Sequence, residues 1–274
     1  MASDEQTVTG TVTEPLAAPR DDTRRLAVTV IAIVAAITVS EALLFTGRNY
    51  AAIWGHFVTL FGCLYLIRRA EGDTPVLMAF ALVPVFRLVN LGMPVFFQLT
   101  VYWFPLIYGP LIPAVVMVDN VTDVDVPMGL KRGALLAPFM IPLGLVLAEW
   151  ENVILQSEAL IPEWSALQLL MIAVVMVFFV GFVEEYLFRG LLQGALEAEF
   201  GRWPGLLLAS AVFGLMHSGY GLYAEIAFAG FIGLVFGLIY DYLDSLVLIT
   251  LAHGFLNVFL FAVLPIQGSV LPLP

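Results

Sequence analysis

Charge is what this chain has least of. Only 12% of its 274 residues are charged, where a soluble domain carries about a quarter. Lysine is almost missing: ten of the eleven cationic residues are arginine and one is Lys131. With 22 acidic residues the net charge is −11 and the pI is near 4.5, which argues against a nucleic-acid partner. There is one cysteine, Cys63, so no intrachain disulfide can form and no cysteine cluster can bind metal. Cys63 lies in an apolar run and reads as a small buried hydrophobe. No glycine-rich phosphate loop, HExxH motif or internal repeat is present, which leaves the nucleotide-binding and zincin classes without their signatures.

What the chain has instead is long apolar runs. Hydrophobic residues make up 61% of it and the mean hydropathy is +0.98, the composition of a polytopic membrane protein. A spanning helix needs about 20 apolar residues, and candidate spans fall at 26–45, 50–67, 75–97, 99–118, 133–150, 166–192, 204–218, 223–241 and 245–264. The seventh is short. The third and fourth carry Pro84, Pro94, Pro105, Pro110 and Pro113, which kink a helix or break it into a re-entrant piece. The expectation is an all-α bundle of eight or nine transmembrane helices.

The organisation reads as a disordered acidic tail over 1–25, N-terminal transmembrane helices over 26–150, an outer loop over 151–165, a second helix bundle over 166–264 and a C-terminal tail over 265–274. The first apolar run is too long and too far in for a cleaved leader. Short-loop cations set orientation. With nine spans and a cytosolic N-terminus, Arg20, Arg24, Arg25, Arg68, Arg69, Lys131, Arg132 and Arg202 all lie inside, and Arg48 alone lies outside. The expected location is the plasma membrane of a prokaryote.

Ionisable groups inside spans are costly, about 3 kcal/mol at the bilayer centre on insertion scales, and need a partner or a purpose. The stretch GFVEEYLFRG holds three of them. Glu185 and Arg189 are four residues apart and face each other across one helical turn, a self-satisfied pair. Glu184 points about 100° away and must find its partner on another span. His217 follows Phe213 by four residues in FGLMH, and Asn257 follows His253 by four in HGFLN. A lone buried histidine is more often a satisfied core residue than a catalyst. Two of them, with an amide one turn away and an unpaired Glu184, favour a site. Counted at 1.5 Å per residue from the expected span ends, Glu184 and His253 lie about 12 Å deep and His217 about 20 Å. All three can therefore meet in the inner half of the membrane. Glu41, Arg87 and Asn90 read as a structural interhelical set, and His56 reads as interfacial. Asp241 and Asp244 read as solvated at the cytosolic turn, and Gly230, Gly233 and Gly237 as a close-packing stripe.

The three patterns E-E-x-x-x-R, F-x-x-x-H and H-x-x-x-N, in this order and in separate apolar spans, resemble the CPBP family: the CAAX prenyl endopeptidase and bacteriocin-processing (Abi) proteins. The resemblance covers about residues 165–264. It implies an intramembrane glutamic endopeptidase whose catalytic core is the last four spans. On that resemblance Glu184 is the base that activates water, His217 holds the water or shares its proton, and His253 and Asn257 stabilise the oxyanion. Glu185, Arg189 and Phe213 support the site. The implied partners are a peptide or protein substrate, prenylated or otherwise membrane-associated, and the membrane lipids.

No cofactor is expected. The alternative is a zinc-dependent form of the same protease with Glu184, His217 and His253 as ligands, since a catalytic zinc takes three protein ligands and an open position. Asn257 is a poor zinc ligand. Two other classes remain: a transporter, which would spread ionisable groups through both halves, and a non-catalytic membrane scaffold or immunity protein on the same fold.

Overall fold

A computed structural model describes residues 21–70, 75–92, 100–122 and 124–271, and all of its regular structure is helical. Nine helices run through the described residues: α1 (Asp21–Phe45), α2 (Asn49–Arg69), α3 (Pro75–Gly92), α4 (Trp103–Thr122), α5 (Leu130–Leu155), α6 (Ala166–Phe200), α7 (Arg202–Leu215), α8 (Tyr223–Leu243) and α9 (Leu246–Gln267). Eight of them are long and apolar enough to cross a membrane, and the protein is an integral membrane protein. The exception is α7, the short seventh span. Its 14 residues reach about 21 Å at 1.5 Å per residue, less than the roughly 30 Å hydrocarbon core.

The first helix begins at Asp21, five residues ahead of the expected start, and α6 runs on to Phe200 rather than ending at 192. The remainder of the expected N-terminal tail, residues 1–20, lies outside the described residues, as does Pro94. Pro84 sits inside α3, and Pro138 and Pro142 inside α5. α4 is broken at Gly109 and Pro110 into Trp103–Tyr108 and Leu111–Thr122. Pro105 and Pro113 each fall in the first turn of a half, where no intrahelical N–H bond is lost. Ser165 and Ser245 cap α6 and α9, accepting from the amides of Gln168 and Leu248 at 3.3 Å each, which fixes where these two helices begin.

The last four helices enclose one another closely. α7 and α8 form a hairpin, and α9 lies against α5 and α6. A Cβ on Gly254 would come within 2.7 Å of the Val177 backbone, and one on Gly181 within 2.9 Å of the Thr250 carbonyl oxygen. Only glycine at both positions lets α6 and α9 approach so far, as small residues do in membrane bundles. The crossing lies within a turn of Glu184 on one helix and next to His253 on the other. The expected glycine stripe is used in the same way, since a Cβ on Gly233 would meet the Ser210 Cα at 3.1 Å.

At the end of the bundle that carries the arginines, Asp241 accepts from Gln193 Nε2 at 2.7 Å and from Arg202 Nε at 2.8 Å. Asp241 is thus a latch between α6, α7 and α8 rather than a solvated group. Asp244 is exposed and pairs with Arg132 at 2.8 Å.

Candidate active site

Glu184 is near the middle of α6, and the helix is irregular on both sides of it. Val175–Gly181 and Tyr186–Gln193 are π-helical, with Phe182–Glu185 as an α-helical turn between them. Such widened turns are rare and recur at functional sites, because they redirect side chains that a regular helix would stack in line. Glu185 still meets Arg189, with Nη1 donating to Oε1 at 3.0 Å. The pair is fully enclosed. The Arg189 guanidinium lies over the Phe213 ring at 4.1 Å and near Phe236 at 5.8 Å, a cation–π arrangement that suits a buried cation.

Glu185 does more than neutralise Arg189. The same Oε1 lies 2.7 Å from His253 Nδ1. A carboxylate has no proton to give, so Nδ1–H is the donor, and the ring is fixed with Nε2 turned towards Glu184. His253 Nε2 is 3.8 Å from Glu184 Oε2. The other oxygen of Glu184 accepts a short hydrogen bond from the Tyr108 hydroxyl. Glu184 thus finds its partners on α9 and at the break of α4.

His217 sits just past the end of α7, in the turn towards α8. Its Nδ1 is 3.0 Å from the Phe213 carbonyl oxygen, so Nδ1 donates and Nε2 is left as an acceptor. The Phe213 ring joins the two histidines, with centroids 4.9 Å from His217 and 6.0 Å from His253. Asn257 is buried one turn beyond His253 on α9.

The turn that bears His217 is clamped by the first three helices. Arg87 of α3 grips Glu41 of α1 through two bonds, Nε to Oε1 at 2.8 Å and Nη2 to Oε2 at 2.9 Å. Its Nη2 also donates to the Met216 carbonyl, and the Ser218 hydroxyl donates to Glu41 Oε2. The residues on both sides of His217 are therefore tied to one buried ion pair. His56 lies 3.2 Å from Glu41 and is fully enclosed. The interfacial placement expected for it is corrected: the Glu41 carboxylate draws it inward. Asn90 lines the cavity described next and is not part of this pair.

Glu184, His217, His253 and Asn257 all line one cavity of about 710 Å³, with Phe213 in its wall. Glu185 and Arg189 lie behind it. Tyr108 also lines the cavity and was not foreseen from the sequence. Its only signal there is the place it holds, immediately before the Gly109–Pro110 break. For a zinc ion, the Nδ1 bonds leave Nε2 of both histidines free as a ligand atom, but among the described residues no three His, Cys, Asp or Glu side chains are placed to hold one metal ion.

Residues 166–259 match the family model described as type II CAAX prenyl endopeptidase Rce1-like. This stretch contains all three motifs and bears out the resemblance to the CPBP proteins. It covers about a third of the chain, and α1–α5 lie outside it. The family is one of proteases, whose substrate is a peptide or protein. The comparisons with curated proteins and with solved structures give no match.

Proposed function

We propose that the protein is an intramembrane endopeptidase of the glutamic type, held in a prokaryotic plasma membrane with its N-terminus in the cytosol. The observation that carries this reading is the convergence of Glu184 and His253, 3.8 Å apart, in a cavity that also receives His217 and Asn257. Peptide hydrolysis needs a base at the attacking water and donors where negative charge develops. Glu184 takes a proton from water, and the His217 Nε2 lone pair accepts a hydrogen bond from the same water. The water oxygen attacks the scissile carbonyl carbon. The oxyanion is met by the Asn257 amide and by His253 Nε2–H. Because Nδ1 already donates to Glu185, donation from Nε2 requires the doubly protonated ring. As the oxyanion collapses to the carbonyl the C–N bond breaks and Glu184 passes its proton to the leaving nitrogen, giving a carboxylic acid and an amine, between which the remaining proton of the water equilibrates. The substrate is a membrane-associated peptide, of which a prenylated C-terminal segment is the kind the family description suggests.

The test is cleavage of a quenched fluorescent peptide library, prenylated C-terminal peptides included, by purified protein in detergent. Wild type, Glu184→Ala and His253→Ala are compared with and without a chelator. Cleavage that chelator spares and Glu184→Ala abolishes is the expected result. Loss of cleavage on chelation with rescue by zinc would overturn the glutamate mechanism in favour of the zinc alternative. Full activity of Glu184→Ala would overturn the site itself.

A further inference from the structure

Among the described residues, those that line the cavity reach one end of the bundle only. From Glu184 it extends past Arg87 to Gly47 and Asn49 in the α1–α2 turn, to Leu91 near the end of α3, to Trp103 at the start of α4 and to Glu151 in the last turns of α5. Gly47 and Asn49 are exposed. Towards the other end α6 is packed shut. Tyr186 to Gln193 are all buried, and the nine residues from Glu184 to the Gln193–Asp241 latch amount to about 13 Å of filled bundle at 1.5 Å per residue.

The two ends also differ in charge. The closed end carries Arg24, Arg25, Arg68, Arg69, Lys131, Arg132 and Arg202, whereas Arg48 is the sole cation in the turns of the open end. Cations in short loops are retained in the cytosol. We infer that the cavity opens to the extracytoplasmic face, so that the peptide cleaved is a segment presented from outside the membrane and not the tail of a cytosolic protein. This inference rests on the protease reading for its substrate, but not for its direction. A prenylated cytosolic C-terminus would have to cross the packed lower half of the bundle to reach Glu184.

Two measurements test it. Wild type, whose single Cys63 is buried, is the blank for labelling of intact spheroplasts with a membrane-impermeant maleimide. Tyr50→Cys lies beside the mouth and Tyr242→Cys at the closed end, and both tyrosines are exposed, 86% and 69%. Labelling of Tyr50→Cys in intact cells, with Tyr242→Cys labelled only after permeabilisation, is the expected result. The reverse pattern, or equal labelling of both, overturns the inference. Glu158→Cys and Glu199→Cys repeat the comparison at the same two ends should either tyrosine variant be poorly made. In sealed proteoliposomes whose orientation the same maleimide reports, an impermeant quenched peptide is expected to be cleaved from the Tyr50 side. Cleavage from the Tyr242 side alone overturns the assignment of the mouth. Absence of cleavage in detergent as well overturns the protease reading, and the labelling then decides the orientation by itself.

Discussion

The third of the chain that matches a protease family and the helices that precede it differ in what they contribute to the cavity. In the proposed mechanism α6–α9 supply the groups that act on the substrate, Glu184, His217, His253 and Asn257, which line one cavity. α1–α5 supply what holds those groups and what leads to them. Arg87 and Glu41 fix the turn around His217, Tyr108 bonds Glu184, and the mouth of the cavity is framed by the ends of α1, α3, α4 and α5. The proposed chemistry therefore sits in short motifs, all within the stretch that matches the family model. The support consists of long-range contacts, of which the bond from Arg87 to Met216 spans 129 positions, and such contacts leave no local pattern.

Substitutions can break this division. The largest effect is expected at Glu184→Gln, which keeps the shape and removes the base. It should lower kcat by about 10³-fold or more, combining loss of general-base catalysis with a disturbed site, while the protein still purifies as a folded species. Next is Asn257→Ala, for which the loss of one oxyanion donor costs about 10²–10³ in kcat with KM little changed. If KM rises in its place, Asn257 binds substrate and does not act on the transition state.

Arg87→Met probes the helices outside the matched stretch. It strands Glu41 in an enclosed position, so the expected loss of stability is about 3–5 kcal/mol, read by thermal unfolding in detergent. A fall in kcat is expected to accompany it as the His217 turn loosens. The charge-free double variant Glu41→Met/Arg87→Met should recover most of the stability without recovering kcat. Recovery of both would show that the clamp serves folding alone. Tyr108→Phe removes one hydrogen bond to Glu184 and should lower kcat by about ten-fold, the equivalent of roughly 1.4 kcal/mol. The smallest effect is expected at Arg132→Ala, where a pair more than half exposed contributes no more than about 1 kcal/mol and cleavage should be unchanged.

The sequence made the membrane class, the nine helical segments and the four converging residues readable, because hydropathy and four-residue spacing are local properties. The Glu185–Arg189 pair follows from the same rule and is found. Its second bond, to His253, was not readable, since it depends on how closely Gly181 and Gly254 let two helices approach. The Glu41–Arg87 pair was visible as two charges in apolar spans, but its hold on Met216 and Ser218 was not. Span ends were the other weak point. α6 continues through Glu197 and Glu199 to Phe200, with Gln193 donating to both Glu197 and Asp241. An exit near residue 192 puts Glu184 about 12 Å deep, whereas the longer helix places Glu184 near its own midpoint.

The filled lower half of α6 has a kinetic consequence. A site at the bottom of a blind well has one doorway, through which water, substrate and both fragments must all pass. Turnover then depends on vacancy: the fragment nearest the exit must leave before its partner can, and neither can be pushed out from behind. Accumulated product should compete directly with fresh substrate, and a compound that merely corks the rim should silence the enzyme without touching Glu184.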